Sequence, residues 1–370
     1  MSSAPGSAPD WLPAAFNGGH TYRDRVSQPV ASTVGFYASH YPHSDRAVWE
    51  QRLIAGEILR NGQRLRADGP LAPGDRLAWH RPPWQEAAVP VLQEHAIVFD
   101  DGDLLVLNKP SGLPVLPAGG FLEHTLLRQL EGWLAAGWLD PAAGLPRPVH
   151  RLGRFTSGLL VCARRPASRA WLSALLRDST TPGAGADHPG AAPALPASAR
   201  GCFKLYRALL RPPQPGSVLL ALAQPGAPRV AATASAAGAA GVAEAPGLWL
   251  ETPIGRRSHA RLGLIWAAAE PTDPAALPAR SAVRLIARRP KGWLVAVTIA
   301  SGRPHQIRIH AAAAGAPLLG DPLYEPGGVP RGDALPGDGG YRLHAHRLEL
   351  QHPAGHRLAV EAPLPPELAD

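Results

Sequence analysis

Residues 148–163 read PVHRLGRFTSGLLVCA, and the second half of that stretch decides how the chain is built. Leu159-Leu160-Val161-Cys162-Ala163 is an unbroken apolar run, the pattern of a strand covered on both faces. Ahead of it, Gly153-Arg154-Phe155-Thr156-Ser157-Gly158 is a turn bounded by two glycines, and Val149-His150-Arg151-Leu152 leads into it. A basic loop delivered by a buried strand holds a functional site rigidly. No Asp or Glu occurs between Asp140 and Asp178, so this loop has no acid of its own.

On either side, strand patterns outnumber helical ones. Residues 96–99 and 104–109 read as strands around the turn Asp100-Asp101-Gly102-Asp103, and residues 202–210, 249–250, 282–287, 292–299 and 341–350 read as later strands. Helical periodicity covers residues 125–138 and 167–176, and a helix starts at Gln306. The balance predicts an α+β fold with a large mixed or antiparallel sheet flanked by a few helices and loops. The stretches 179–200, 224–247 and 268–280 are Ala-, Gly- and Pro-rich and read as low-complexity surface insertions.

The front of the chain reads as a separate unit. Residues 1–29 are expected to be a flexible extension. Residues 30–83 form a small α+β module. It holds a helix over 45–54 capped by Asp45 or Ser44, a strand over 57–60, an Asn61-Gly62 hairpin turn, a Pro73-Gly74-Asp75 turn and a strand over 76–80. No first helix is readable in residues 30–44. This order resembles the ribosomal-protein-type RNA-binding module that precedes many RNA-modifying enzymes. Residues 84–370 are left as the main domain.

Composition agrees with a polyanionic partner. The chain of 370 residues carries a net charge of +8, and its lysines are only Lys109, Lys204 and Lys291, so the positive charge is almost all Arg. Arg suits bidentate phosphate contacts and stacking on bases. A GC-rich coding bias writes the same composition, so charge alone does not decide. Cys162 and Cys202 form no CxxC pair, which fits a reduced, cytoplasmic setting. No signal peptide and no membrane-spanning apolar run is read.

Four stretches share Arg, His or Tyr beside strand or loop glycines: HRLGRFTSG (150–158), KLYRA (204–208), SGRPHQIRIH (301–310) and GDPLY (320–324). With NKPSGLP (108–114), Pro253-Ile254-Gly255, Leu343-His344-Ala345 and Ala362-Pro363-Leu364-Pro365, they resemble, in order, the RluA-type pseudouridine synthases over residues 96–368. The resemblance implies an isomerase that flips a uridine out of RNA, cuts its N-glycosidic bond, turns the uracil and rejoins it through carbon. It implies ribosomal or transfer RNA as partner, no membrane, no metal, no cofactor and a monomer.

That chemistry needs an anion near the sugar, a cation to keep the anion ionised and a flat surface for the base. By resemblance, Tyr206 faces the base and Arg308 pairs with the catalytic carboxylate. His150, Arg151, Arg154, Thr156, Arg303, His305 and Lys109 are expected to contact RNA or shape the loop. The family's loop reads HRLD; here Gly153 stands at the position of the Asp and offers no side chain. Three readings stay open. Another carboxylate reaches the site, with Asp321 and Glu123 as candidates. The protein binds RNA silently on the synthase scaffold. Or the loop serves a different reaction. His344, His346 and His352 could suggest zinc, but they coincide with the family's closing strand.

Overall fold

The computed structural model describes residues 11–178, 202–224, 229–231, 244–299 and 302–369. All of the expected insertion 179–200 and most of 224–247 lie outside these residues.

At the front, strands His20–Arg25 (β1), Ile58–Arg60 (β2), Gln63–Arg64 (β3) and Arg76–Arg81 (β4) form one sheet in the order β1-β4-β2-β3. Helices Thr33–His40 (α1) and Arg46–Ile54 (α2) belong to the same module, and Val34, Tyr37, Trp49 and Leu53 join its core. Asp45 caps α2 by accepting from the Val48 amide. Asn61 and Gly62 both have positive φ, the geometry that joins β2 to β3 in a two-residue hairpin.

Two expectations for this region need correction. Residues 11–29 are not an extension: β1 pairs along its length with β4, Val26 is buried, and two short strands at 11–12 and 15–16 pair with 89–90 and 85–86. Their apolar residues are sparse, so the segment reads as polar although its backbone completes a sheet. The first helix also exists. Ser32 caps α1 through the Gly35 amide, and Thr33, Val34, Phe36 and Tyr37 are buried although Gly35 interrupts the periodicity.

The main sheet has ten strands: Ile97–Asp100 (β5), Leu104–Lys109 (β6), Arg147–Pro148 (β7), Thr156–Ala163 (β8), Phe203–Leu210 (β9), Leu248–Leu250 (β10), Ser281–Arg289 (β11), Gly292–Ile299 (β12), Leu343–Gln351 (β13) and Arg357–Glu361 (β14). Its order is β10-β11-β12-β9-β13-β8-β6-β5, with β7 also on β8 and β14 on β13. The apolar run Leu159–Ala163 lies at the centre of the larger core, with Leu126, Leu130 and Trp133 of helix Leu126–Ala135 (α3) and Leu172, Leu175 and Leu176 of helix Pro166–Asp178 (α4). Helix Gln306–Ala313 (α5) joins a second core with Val295 and Val297. Residues 268–280, expected as an insertion, are tied down by turns at Glu270–Asp273 and Asp273–Ala276 and by reciprocal hydrogen bonds between Ile254 and Leu277.

Strand β8 runs parallel to β13 for only three residue pairs, Thr156–Leu343, Ser157–His344 and Gly158–Ala345. Gly158 has φ +95°, and a Cβ there would overlap the Ala345 backbone. Only glycine lets the loop join the sheet at that point. On the other side of β13, Ala345 faces Tyr206 of β9. The loop and the tyrosine are therefore two strands apart, with Ala345 between them.

Candidate active site

The 150–158 loop is clasped to the 109–113 loop. The Lys109 ammonium donates to the carbonyls of Pro110, Leu113 and Arg154 at 2.8–3.0 Å, the Gly112 amide donates to Arg154, and the Ser111 hydroxyl donates to Phe155. Arg154 Nε returns a bond to the Gly112 carbonyl, and its guanidinium lies over Phe121 and Phe155. The Thr156 amide closes the turn onto the Gly153 carbonyl.

Gly153 itself is exposed, but the direction its side chain would take is filled. A Cβ at this position would overlap the Tyr341 hydroxyl, with ring carbon Cζ at 3.5 Å. That hydroxyl lies 3.3 Å from Thr156 Oγ1, and Phe155 meets the Tyr341 ring edge-on. Tyr341 is 1% exposed. It precedes β13, which begins at Leu343 rather than at residue 341 as the sequence pattern suggested.

Beneath Tyr341 lies Arg308. Its guanidinium is 4.2 Å from the Tyr341 ring centre and 5.2 Å from that of Tyr324. Nε and Nη2 donate to the two carboxylate oxygens of Asp321 at 2.7 and 2.8 Å, and Nη1 donates to the Pro336 carbonyl. Asp321 also accepts from the amides of Leu323 and Tyr324. Burial works against the Arg308 charge, but the Asp321 carboxylate outweighs it and holds the guanidinium more firmly charged than usual. His305 caps α5 from a left-handed conformation, and its Nδ1 is 2.7 Å from the Tyr324 hydroxyl. Burial, and then the charge of Arg308, push its pKa down to about 3.

Of the expected site residues, Arg308 and Asp321 come together as a sealed pair, and Gly153 meets them through Tyr341. Tyr206 is half-buried and packs against both cores of the main sheet; burial raises its phenol pKa. Arg151 is exposed, Arg303 is half-buried with Nε on the Pro278 carbonyl, and Arg154 is half-buried.

Three expected RNA contacts turn inward instead. Lys109 is fully buried with three carbonyl partners, Thr156 is buried against Tyr341, and His150 Nε2 accepts the Val161 amide. Each holds the loop in place, since a buried polar group needs a partner within the protein. Glu123 does not approach Arg308 in any hydrogen bond or ion pair among the described residues; its carboxylate pairs with Arg128 of α3. His344 bonds Ser157 Oγ and His346 the Ala362 carbonyl, and His352 Nε2 lies 2.9 Å from the Asp101 carboxylate.

Sequence reasoning missed the segment Leu335-Pro336-Gly337-Asp338-Gly339-Gly340-Tyr341, which carries Tyr341 to Gly153. The available signal was a Gly/Pro-rich stretch with one acid and one aromatic ahead of the closing strand.

Residues 103–183 match the family model described as RNA pseudouridylate synthase. An uncharacterised RNA pseudouridine synthase of Synechocystis sp. is 35% identical over 337 residues, covering 90% of this chain and 94% of its own. RNA pseudouridine synthase 5 of Arabidopsis thaliana is 35% identical over 391 residues, covering 95% and 94%. Ribosomal large subunit pseudouridine synthase D of Neisseria meningitidis is 28% identical over 336 residues, covering 89% and 73%. Identity of about a third to relatives of these names, over nine-tenths of the chain, defines the class as an RNA-modifying isomerase. The chain belongs to the RNA pseudouridine synthase family.

Proposed function

We propose that this protein isomerises uridine to pseudouridine in ribosomal or transfer RNA, acting in the cytoplasm as a monomer without metal or cofactor. The observation that carries the reading is the convergence around Ala345. The glycine loop pairs with one side of β13, and Tyr206 pairs with the other. In this reading a flipped uracil lies against Tyr206, and the ribose faces the Gly153 loop. Arg151, Arg154 and Arg303 hold the backbone phosphates on either side of the flipped nucleotide. Arg308 and Asp321 do not reach the substrate; they hold Tyr341, and through it the loop, in register.

The front module supplies a second basic contact. Arg52 lies over the rings of both Trp49 and Trp79, and Arg81 lies over Trp84, whose indole donates to the Gly120 carbonyl of the main domain. Glu86 fastens the linker by accepting from Asn17 and from the amides of Leu122, Glu123 and His124. RNA bound to the module is thereby presented to the main domain at a fixed position.

The test is a map of pseudouridine in ribosomal and transfer RNA from a strain lacking the protein, with restoration by the purified full chain. Loss of at least one modified site, regained on addition, is expected. An unchanged map together with no conversion in vitro would defeat the reading.

A further inference from the structure

A pseudouridine synthase needs an anion at the ribose, and position 153 cannot provide one. The two acids marked from sequence do not fill the gap. Asp321 is 1% exposed, with its carboxylate engaged by Arg308 and by two amides. A carboxylate locked in this way cannot reach a sugar carbon. Glu123 is bound to Arg128 on α3. Tyr341 touches the right place, but it is sealed under Gly153 and over Arg308.

The segment that delivers Tyr341 also carries an acid. Residues 335–338 form a turn in which the Asp338 amide donates to the Leu335 carbonyl and the Leu335 amide donates to Asp338 Oδ2. The turn is held at three points: Arg308 Nη1 on the Pro336 carbonyl, the Gly340 amide on the Gly320 carbonyl, and Tyr341 against Gly153. Gly339 has φ +83°, and a Cβ there would overlap the Pro322 ring, so the backbone lies directly on the 320–322 turn. Asp338 itself is exposed. Its negative charge acts on Arg154, the residue next to Gly153, and partly offsets the effect of burial there. An accessible carboxylate thus stands three residues before Tyr341, on the segment that closes the position from which the family's Asp is missing.

We infer that Asp338 supplies the carboxylate that Gly153 lacks, and that Tyr341 fixes the segment presenting it; this rests on the reaction proposed above. One oxygen of Asp338 bonds to ribose C1′ as the C1′–N1 bond breaks, and that bonding pair leaves with the uracil. The base turns, an electron pair at C5 forms the new bond to C1′, and the carboxylate departs with the pair it had donated. The proton lost from C5 balances the one gained at N1, so the reaction is an isomerisation with no co-reactant.

The experiment uses the full chain and both ribosomal and transfer RNA from a strain lacking it. Asp338→Asn keeps an oxygen to accept the Leu335 amide, so the turn is retained. It is expected to lower the conversion rate at least about a hundredfold, with RNA affinity and melting temperature unchanged. Asp338→Ala is expected to recover part of its rate when formate is added, because a small carboxylate can enter the vacated space. Asp333→Asn removes an exposed acid of the neighbouring turn that pairs with Arg331, and it is expected to convert at the full rate. Conversion by Asp338→Asn at the wild-type rate, or a loss that neither formate nor Asp338→Glu relieves, overturns the assignment. Wild-type protein that converts no uridine overturns the reaction itself, a result distinct from failure of Asp338 alone.

Discussion

The Tyr341 hydroxyl occupies the space into which the side chain of residue 153 would project, so Gly153 and Tyr341 are one structural unit. The hydroxyl is the obstacle: the next ring atom is 3.5 Å from the Cβ position, an ordinary contact. Tyr341 cannot swing aside cheaply, because its ring is packed between Phe155 and the Arg308 guanidinium. Gly153→Ala is therefore expected to destabilise the protein by about 1–3 kcal/mol. In a Tyr341→Phe background the same change is expected to cost clearly less. A urea-denaturation double-mutant cycle measures the coupling, and additive effects would contradict the arrangement. Gly153→Asp is expected to be at least as harmful as Gly153→Ala and to bring no gain in turnover.

Asp321 and Asp338 should separate cleanly in their effects. Asp321→Asn leaves a buried guanidinium without its counter-charge, at an expected cost of about 3–5 kcal/mol in stability. Any loss of activity should follow the loss of folded protein. Asp338, exposed and bonded within its own turn, should show the reverse pattern, an activity loss without a shift in melting. Melting curves and conversion rates on the two variants, side by side, make the comparison.

The sequence carried the centre of the fold because Leu159–Ala163 has the pattern of a strand buried on both faces, and the sheet is built around it. It carried the α2 cap at Asp45 and the Asn61-Gly62 hairpin because those residues act locally. It did not carry β1 or α1. The strand at His20–Arg25 is polar and defined by its partner β4, and Gly35 breaks the period of the helix at Thr33–His40. The site divided along the same line. Arg308 was legible as a residue type, whereas its pairing with Asp321 and its stacking under Tyr341 join positions 13 and 33 residues away. Lys109 and His150 were expected, by resemblance, to contact RNA or shape the loop. Both satisfy buried backbone groups.

Four histidines with lowered pKa values should make the fold sensitive to mild acid. Burial, reinforced at His150 by Lys204 and at His305 by Arg308, lowers their pKa from 6.5 to about 3. Burial also lowers His310 and His344 to about 4. Between those values and pH 6.5 the unfolded chain binds protons that the native state refuses, so stability falls as pH drops below about 6.5 and is complete above it. The urea midpoint is expected to decline from pH 6.5 toward pH 4. His344→Asn should make that decline shallower, by the share of one proton. A midpoint flat over this range would show that these rings are protonated in the native state.

Salt dependence of RNA binding should distinguish the residues that face solvent from those that only look cationic in the sequence. Arg151 is exposed, so Arg151→Ala is expected to weaken binding to ribosomal RNA and to reduce the slope of log K against log salt by about 0.7–0.9. Lys109→Met removes the same formal charge from a fully buried position. It leaves three carbonyls without their donor and should cost on the order of 3 kcal/mol in stability. At temperatures where the variant remains folded, its salt slope should match the wild type. A reduced slope for Lys109→Met would mean that the ammonium reaches phosphate, and the clasp between the 109–113 and 150–158 loops would then have to open when RNA binds.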